Sequence, residues 1–175
     1  GNLGDFSMRR ILSTAVEQYA GHINESLPST FLTEHRLIPL REAIKNYHVG
    51  SILNVYDIAN TADYWHEIIN KIQDIAVKET RLGIPVLYGI DAIHGATYTK
   101  GATLFPQAIS MAATWNTEIA KQSGEITSLE TKASGIAWNY YPVMDIGRQP
   151  LWSRLWETFG EDVYLASQMG ASYIK

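Results

Sequence analysis

Apolar residues fall along this chain in two alternating rhythms. Ile11, Leu12, Ala15, Val16, Tyr19 and Ile23 recur at helical spacing, which predicts an amphipathic helix over residues 9–24. A Pro, Ser and Thr-bearing stretch, 25–33, reads as a connection. A second helix is expected over about 35–47, with Leu37, Leu40 and Ile44 on one face, followed by a short strand, Val49-Gly50-Ser51-Ile52-Leu53. The clearest helical pattern covers 62–81, where Trp65, Ile68, Ile69, Ile72, Ile75 and Ala76 share a face. Gly83 is placed to end it as a C′ glycine. The unbroken apolar run Ile84-Pro85-Val86-Leu87-Tyr88-Gly89-Ile90 predicts a buried strand, and residues 91–103 a polar loop. Asn116 reads as the N-cap of a helix over 117–134 closed by Gly135. Ile136 to Tyr141 predicts a third strand, 142–160 a long loop, and Asp162 the start of a last helix running to the end of the sequence.

Strand and helix in strict alternation predict an α/β fold with a parallel sheet. No G-x-G-x-x-G follows any strand, which counts against a dinucleotide-binding open sheet. Long polar loops directly after strands suit a (β/α)8 TIM-type barrel, whose active sites gather at the carboxyl ends of its strands. Such barrels take about 250 residues. The expectation is therefore a partial barrel, incomplete within these 175 residues.

Composition narrows the partners. Net charge is −4 with no basic cluster, so nucleic acid is not an expected partner. No stretch approaches the roughly 20 apolar residues of a membrane span, and no charged segment with an apolar core opens the sequence as a signal peptide would. The absence of cysteine excludes disulfides and thiolate metal sites. Trp115, Trp138, Trp152 and Trp156 all fall in the second half. Their rings suit either a core or the C–H faces of sugars.

Chemistry concentrates in two places. Asp91, in Gly89-Ile90-Asp91-Ala92-Ile93-His94-Gly95, follows a strand directly. There its carboxylate faces the barrel mouth and can accept two hydroxyl hydrogen bonds from one sugar. It can also cap a turn, or form a metal site with His94, although no third ligand has recognisable spacing. The second concentration runs from Asp145 to Asp162 and holds Arg148, Arg154, Trp152, Trp156 and several carboxylates in one post-strand loop. An arginine fork there can bind adjacent hydroxyls while Glu157 holds it in place; a salt-bridged rim clamp is the plainer reading. Retaining glycosidases use two carboxyls roughly 5–5.5 Å apart. Glu157, Glu161 and Asp162 neighbour arginine, which favours low pKa values and binding rather than general acid work.

From about residue 49 onward, three segments in order resemble glycoside hydrolase family 3: Leu82 through Gly95, Ala102-Thr103-Leu104-Phe105-Pro106-Gln107, and Arg148 through Asp162. The resemblance is to its β-glucosidase branch; the β-N-acetylglucosaminidase branch resembles D-Q-E-G-G where this chain has Asp91-Ala92-Ile93-His94-Gly95. It implies that residues 1–175 are the amino-terminal portion of a catalytic barrel in a retaining exo-β-glycosidase acting on terminal β-glucosyl residues. It further implies that Asp91 and Arg154 bind substrate, Glu157 supports Arg154, and Arg148 and His94 are structural. Leu151 and Ser153 depart from the R-x-P-R-W-G-R pattern, and residues 9–33 depart from the family's opening. By the resemblance, the nucleophilic Asp and the acid/base Glu lie beyond Lys175, and the chain requires the rest of its barrel. No cofactor or metal is implied, the partner is a carbohydrate, and the location is periplasmic or secreted. Two other readings stay open: a non-catalytic sugar-binding or scaffold barrel, and a metal-dependent hydrolase using Asp91 and His94.

Overall fold

The computed structural model describes residues 34–53 and 59–175. The expected helix over 9–24 and the connection 25–33 lie outside the described residues. In chain order the elements are α1 (Glu34–Lys45), β1 (Ser51–Leu53), α2 (Ala62–Glu79), β2 (Leu87–Ile90), α3 (Ala108–Ala112), α4 (Thr117–Ala133), β3 (Trp138–Asn139), a 3₁₀ turn (Leu155–Glu157) and α5 (Val163–Ile174). The strands form a parallel sheet in the order β1-β2-β3. Strands adjacent in sequence are adjacent in space, joined by α2 and α4. This is a partial (β/α)8 TIM-type barrel.

The amphipathic face predicted for α2 is the face that is buried, from Trp65 to Ala76. It packs on Ile52, Tyr88 and Ile90 from the strands. Trp65 is fully buried, meets Tyr88 edge-on at 5.7 Å, and donates its indole N–H to Tyr98 O at 2.9 Å. Gln73 fastens α2 to the start of β2: its amide donates to Val86 O at 2.7 Å and accepts the Val86 N–H at 3.0 Å. A second cluster joins α3, α4 and α5 through Met111, Ala120, Phe159 and Met169, with Tyr141 and Val143 beside them. No helix among the described residues is long and apolar enough to cross a membrane.

Helix ends depend on local chemistry. Asn116 caps α4 by accepting the Glu118 N–H at 3.0 Å. Gly135, at φ +76°, closes it: Gly135 N–H reaches Lys132 O at 2.9 Å and Ile136 N–H reaches Thr131 O at 3.2 Å, a Schellman pair. Gly83 departs from its expected role. α2 already stops at Glu79, capped by Thr80, whose hydroxyl donates to Ala76 O at 2.5 Å and accepts the Gly83 N–H at 3.2 Å. Gly83, at φ +63°, serves the turn that follows. The short helix α3 has no counterpart in the expected elements.

The strands are shorter than predicted, and β2 is not buried throughout. One side carries Ile52, Tyr88 and Ile90 against the helices, all buried. On the opposite side Leu53 is 54% exposed, Leu87 43% and Trp138 38%. Parallel sheets are ordinarily covered on both faces. Among the described residues, helices cover one face, and the other is open and apolar.

Because Trp65 is both fully buried and hydrogen-bonded, Trp65→Ala is expected to destabilise the barrel domain by about 3–5 kcal/mol. Calorimetry of the protein carrying this chain measures it.

Candidate functional site

Strand alternation decides where Asp91 goes. Leu87, Gly89 and Asp91 share the open side of β2, with Asp91 one residue past its carboxyl end. Gly89 has no side chain, and the ring of Tyr140 occupies that space: a Cβ at position 89 would come within 2.6 Å of it. Tyr140 in turn lies against Trp138, ring centres 4.4 Å apart. A half-buried carboxylate thus sits above an aromatic floor built by β3.

The loop 142–160 delivers the opposing charges. Gly147 N–H bonds Gly160 O at 3.0 Å, which closes the base of the loop. Gly147 is tightly covered, since a Cβ there would lie 2.6 Å from Thr158 Oγ1. Leu155–Glu157 then forms a single 3₁₀ turn with Arg154 at its N-cap. Residues three apart eclipse one another in such a turn, so Arg154 and Glu157 stand side by side. Arg154 Nε donates to both Glu157 oxygens at 3.0 Å, and Nη2 donates to Oε2 at 2.5 Å. Glu157 is nearly covered while Arg154 stays half exposed. The carboxylate therefore grips the Nε edge of the guanidinium without taking up Nη1. Glu157 and Arg154, both expected in this loop, are thus hydrogen-bonded partners.

The two loops meet. His94 Nδ1–H donates to Phe105 O at 3.1 Å, and Phe105 N–H donates to His94 O at 3.0 Å, which folds residues 94–105 onto themselves. The His94 ring stacks nearly parallel to Trp156 with centres 6.2 Å apart. Gly95, at φ +85°, allows the tight turn beneath, with Thr103 O and the Phe105 ring too close for any Cβ.

Residues 34–175 match the glycosyl hydrolase family 3 N terminal domain. The chain belongs to that family. It is 43% identical over 162 residues to a lysosomal β-glucosidase of Dictyostelium discoideum, covering 85% of this chain and 20% of that one. It is 32% identical over 136 residues to a periplasmic β-glucosidase of Salmonella typhimurium, covering 78% and 16%. Among solved structures it resembles a β-glucosidase involved in saponin metabolism from intestinal bacteria, with 30% identity and a TM-score of 0.65, over 99% of this chain and 20% of that one. The chain thus spans a fifth or less of each of these relatives' length.

Within this family 3 domain, the charges acting on Asp91 come from Glu157 and Arg154, in that order after burial. Burial and Glu157 raise its pKa, Arg154 lowers it, and the balance is upward. Tyr140 is raised by burial and by Asp91. Arg154 is held protonated by its bonds to Glu157, with smaller support from Asp91 and Asp145. Arg148 is exposed and is not among the charges that bear on Asp91. Asp162 caps α5 by accepting the Leu165 N–H at 2.6 Å, and Glu161 is exposed. Among the described residues no group of three or more His, Cys, Asp or Glu side chains is arranged to hold a metal ion, and His94 Nδ1 is occupied by Phe105 O.

Tyr140, Trp138 and Asn139 were not singled out by sequence reasoning as site residues. The signal was their place at the end of a predicted strand, which marks a barrel mouth. A cleft of about 470 Å³ opens elsewhere, at the amino ends of β1 and β2, lined by Lys45, His48, Glu79, Arg81 and Ile84 among others. Glu79 there is tied to Arg41 at 2.8 Å and Lys45 at 3.2 Å. Barrel chemistry sits at the opposite end of the strands, where the Asp91 cluster lies.

The electrostatics give a signed expectation. An NMR titration of the Asp91 carboxyl should place its pKa above the usual aspartate value; Arg154→Ala should move it further up, and Glu157→Gln down. The folded pKa lies above the unfolded one, so the charge on Asp91 opposes folding at neutral pH. That opposition fades as pH falls through the folded value. Asp91→Asn should therefore leave the melting temperature at pH 7 unchanged or higher.

Proposed function

We propose that this chain is the substrate-gripping, amino-terminal portion of the catalytic barrel of a retaining exo-β-glycosidase of β-glucosidase type. The observation that carries the reading is the meeting of Asp91 with the Arg154–Glu157 pair at the carboxyl end of the sheet. A carboxylate accepts from neighbouring sugar hydroxyls, and a guanidinium whose Nε edge is already fixed donates back to them. Together they recognise the hydroxyl-rich end of a terminal glucosyl unit and hold it in one orientation, which is the entropic share of catalysis. Glu157 positions Arg154; Arg148 and His94 are structural parts of the two loops. The Trp138–Tyr140 floor offers an apolar face to the sugar's C–H groups.

In this reading the bond-breaking groups, an Asp nucleophile and a Glu acid/base, are supplied from beyond Lys175, and the chain needs the rest of its barrel. The open apolar face of Leu53, Leu87 and Trp138 supports this, because the inner layer of a closed barrel would cover it. The length of the relatives supports it too. The names of relatives from a lysosome and a periplasm support a periplasmic or secreted location. No cofactor is needed, and the partner is a β-glucoside.

Each hydrogen bond to a charged group is worth roughly 1.5–3 kcal/mol. Losing the charge of Asp91 is therefore expected to lower kcat/KM for an aryl β-glucoside by about 100-fold or more in the complete protein carrying Asp91→Asn. Glu157→Gln, which only loosens Arg154, should lose about 10-fold. Near-wild-type turnover by Asp91→Asn would remove Asp91 from the site. Glucose binding without any hydrolysis by the unmutated protein would point to a sugar-binding barrel instead.

A further inference from the structure

We infer that Asn139 is the positioning residue for Asp91: its side-chain carbonyl locks the backbone on both strands of the mouth, so that Asp91 and Tyr140 face one substrate. The inference rests on the reading of Asp91 as a sugar-binding group. The parallel ladder between β2 and β3 pairs Ile90 with Asn139 and ends with Tyr140 N–H donating to Ile90 O at 3.0 Å. The next β2 amide due in the ladder, Ala92 N–H, leaves it, and Tyr141 N–H falls outside it because strand amides alternate sides. Both turn instead to Asn139 Oδ1, each at 3.1 Å. Two N–H donors converging on one atom identify it as the oxygen, because an amide nitrogen has no lone pair for them.

These two amides directly follow Asp91 and Tyr140. A peptide plane held at its N–H fixes ψ of the residue before it, and with it the direction in which that side chain leaves the backbone. One oxygen thus sets the aim of both the carboxylate and the aromatic ring that covers Gly89. Water is a poor substitute, since Ala92 is fully buried and Tyr141 is 6% exposed. A buried amide left unpaired is costly, so without Asn139 the strand ends are expected to rearrange. Asparagine is disfavoured in strands by propensity, and this one earns its place by ending a ladder. Its oxygen is engaged by the two backbone amides, which is how it acts on Asp91.

The test is a double-mutant cycle in the complete protein, reading kcat and KM for an aryl β-glucoside with Asp91→Asn, Asn139→Ala and the pair. Asn139→Ala should lower kcat/KM by about 10- to 100-fold, since a misplacement of about 1 Å suffices for the larger loss. The pair should lose clearly less than the product of the two single losses, because Asn139 then has only Tyr140 left to position. Losses that multiply, or an Asn139→Ala enzyme within two-fold of wild type, would overturn the inference. If Asn139→Ala does not fold, Asn139→Asp decides, because it keeps an acceptor for both amides. It should be active at pH 8 and show the acidic limb of its kcat/KM profile moved to higher pH by the added charge. An inactive, folded Asn139→Asp enzyme, or an unmoved limb, overturns the inference. Near-wild-type activity of Asp91→Asn instead removes the reading on which it rests, so the two failures are told apart.

Discussion

The parallel pairing of β2 with β3 is the contact on which the site depends. It brings Gly89 opposite Trp138 and Ile90 opposite Asn139, residues almost fifty positions apart in the chain. Strands have a side-chain period of two, so a shift of one residue in this register would turn every inward group outward. Asp91 would then leave the mouth, and Tyr140 would lose the gap that Gly89 provides. The pairing is short, and it is supplemented at its end by the side chain of Asn139 where the backbone ladder runs out. Around it, Gln73 secures the entrance of β2 to α2, and the Schellman closure at Gly135 sets where β3 begins.

Asp91 is caught between opposed influences. Burial and Glu157 disfavour its charge, Arg154 favours it, and the first two outweigh the third. Glu157 does this while serving another purpose, since it is also the group that fixes Arg154. The arginine is thus partly neutralised before it meets Asp91. Asp91 therefore sits beside a guanidinium whose charge is already shared with Glu157.

Much of the fold was legible because its signals are local. The buried stripe of α2 from Trp65 to Ala76 follows from a 3.6-residue period, and the caps Asn116 and Asp162 follow from short side chains that reach backbone amides two or three residues on. Gly135 was readable for the same reason. Gly83 was not, because Thr80 ends the helix first with its own hydroxyl, and two capping signals in competition cannot be ranked from composition. The strands were predicted too long, and β2 too buried. An unbroken apolar run says that a segment avoids water but does not say which layer covers each face.

Sequence by itself determined the order of helices and strands, the placement of Asp91 just past a strand, and the i, i+3 spacing that makes Arg154 and Glu157 partners. It also carried the family resemblance that the match over residues 34–175 bears out. Only the tertiary structure decided that Asp91 feels Glu157 more than Arg154, and that Tyr140 and Asn139 belong to the mouth at all. The reason is physical: periodicity and capping are fixed within a few residues, whereas burial, charge proximity and ladder ends depend on strands brought together from distant parts of the chain.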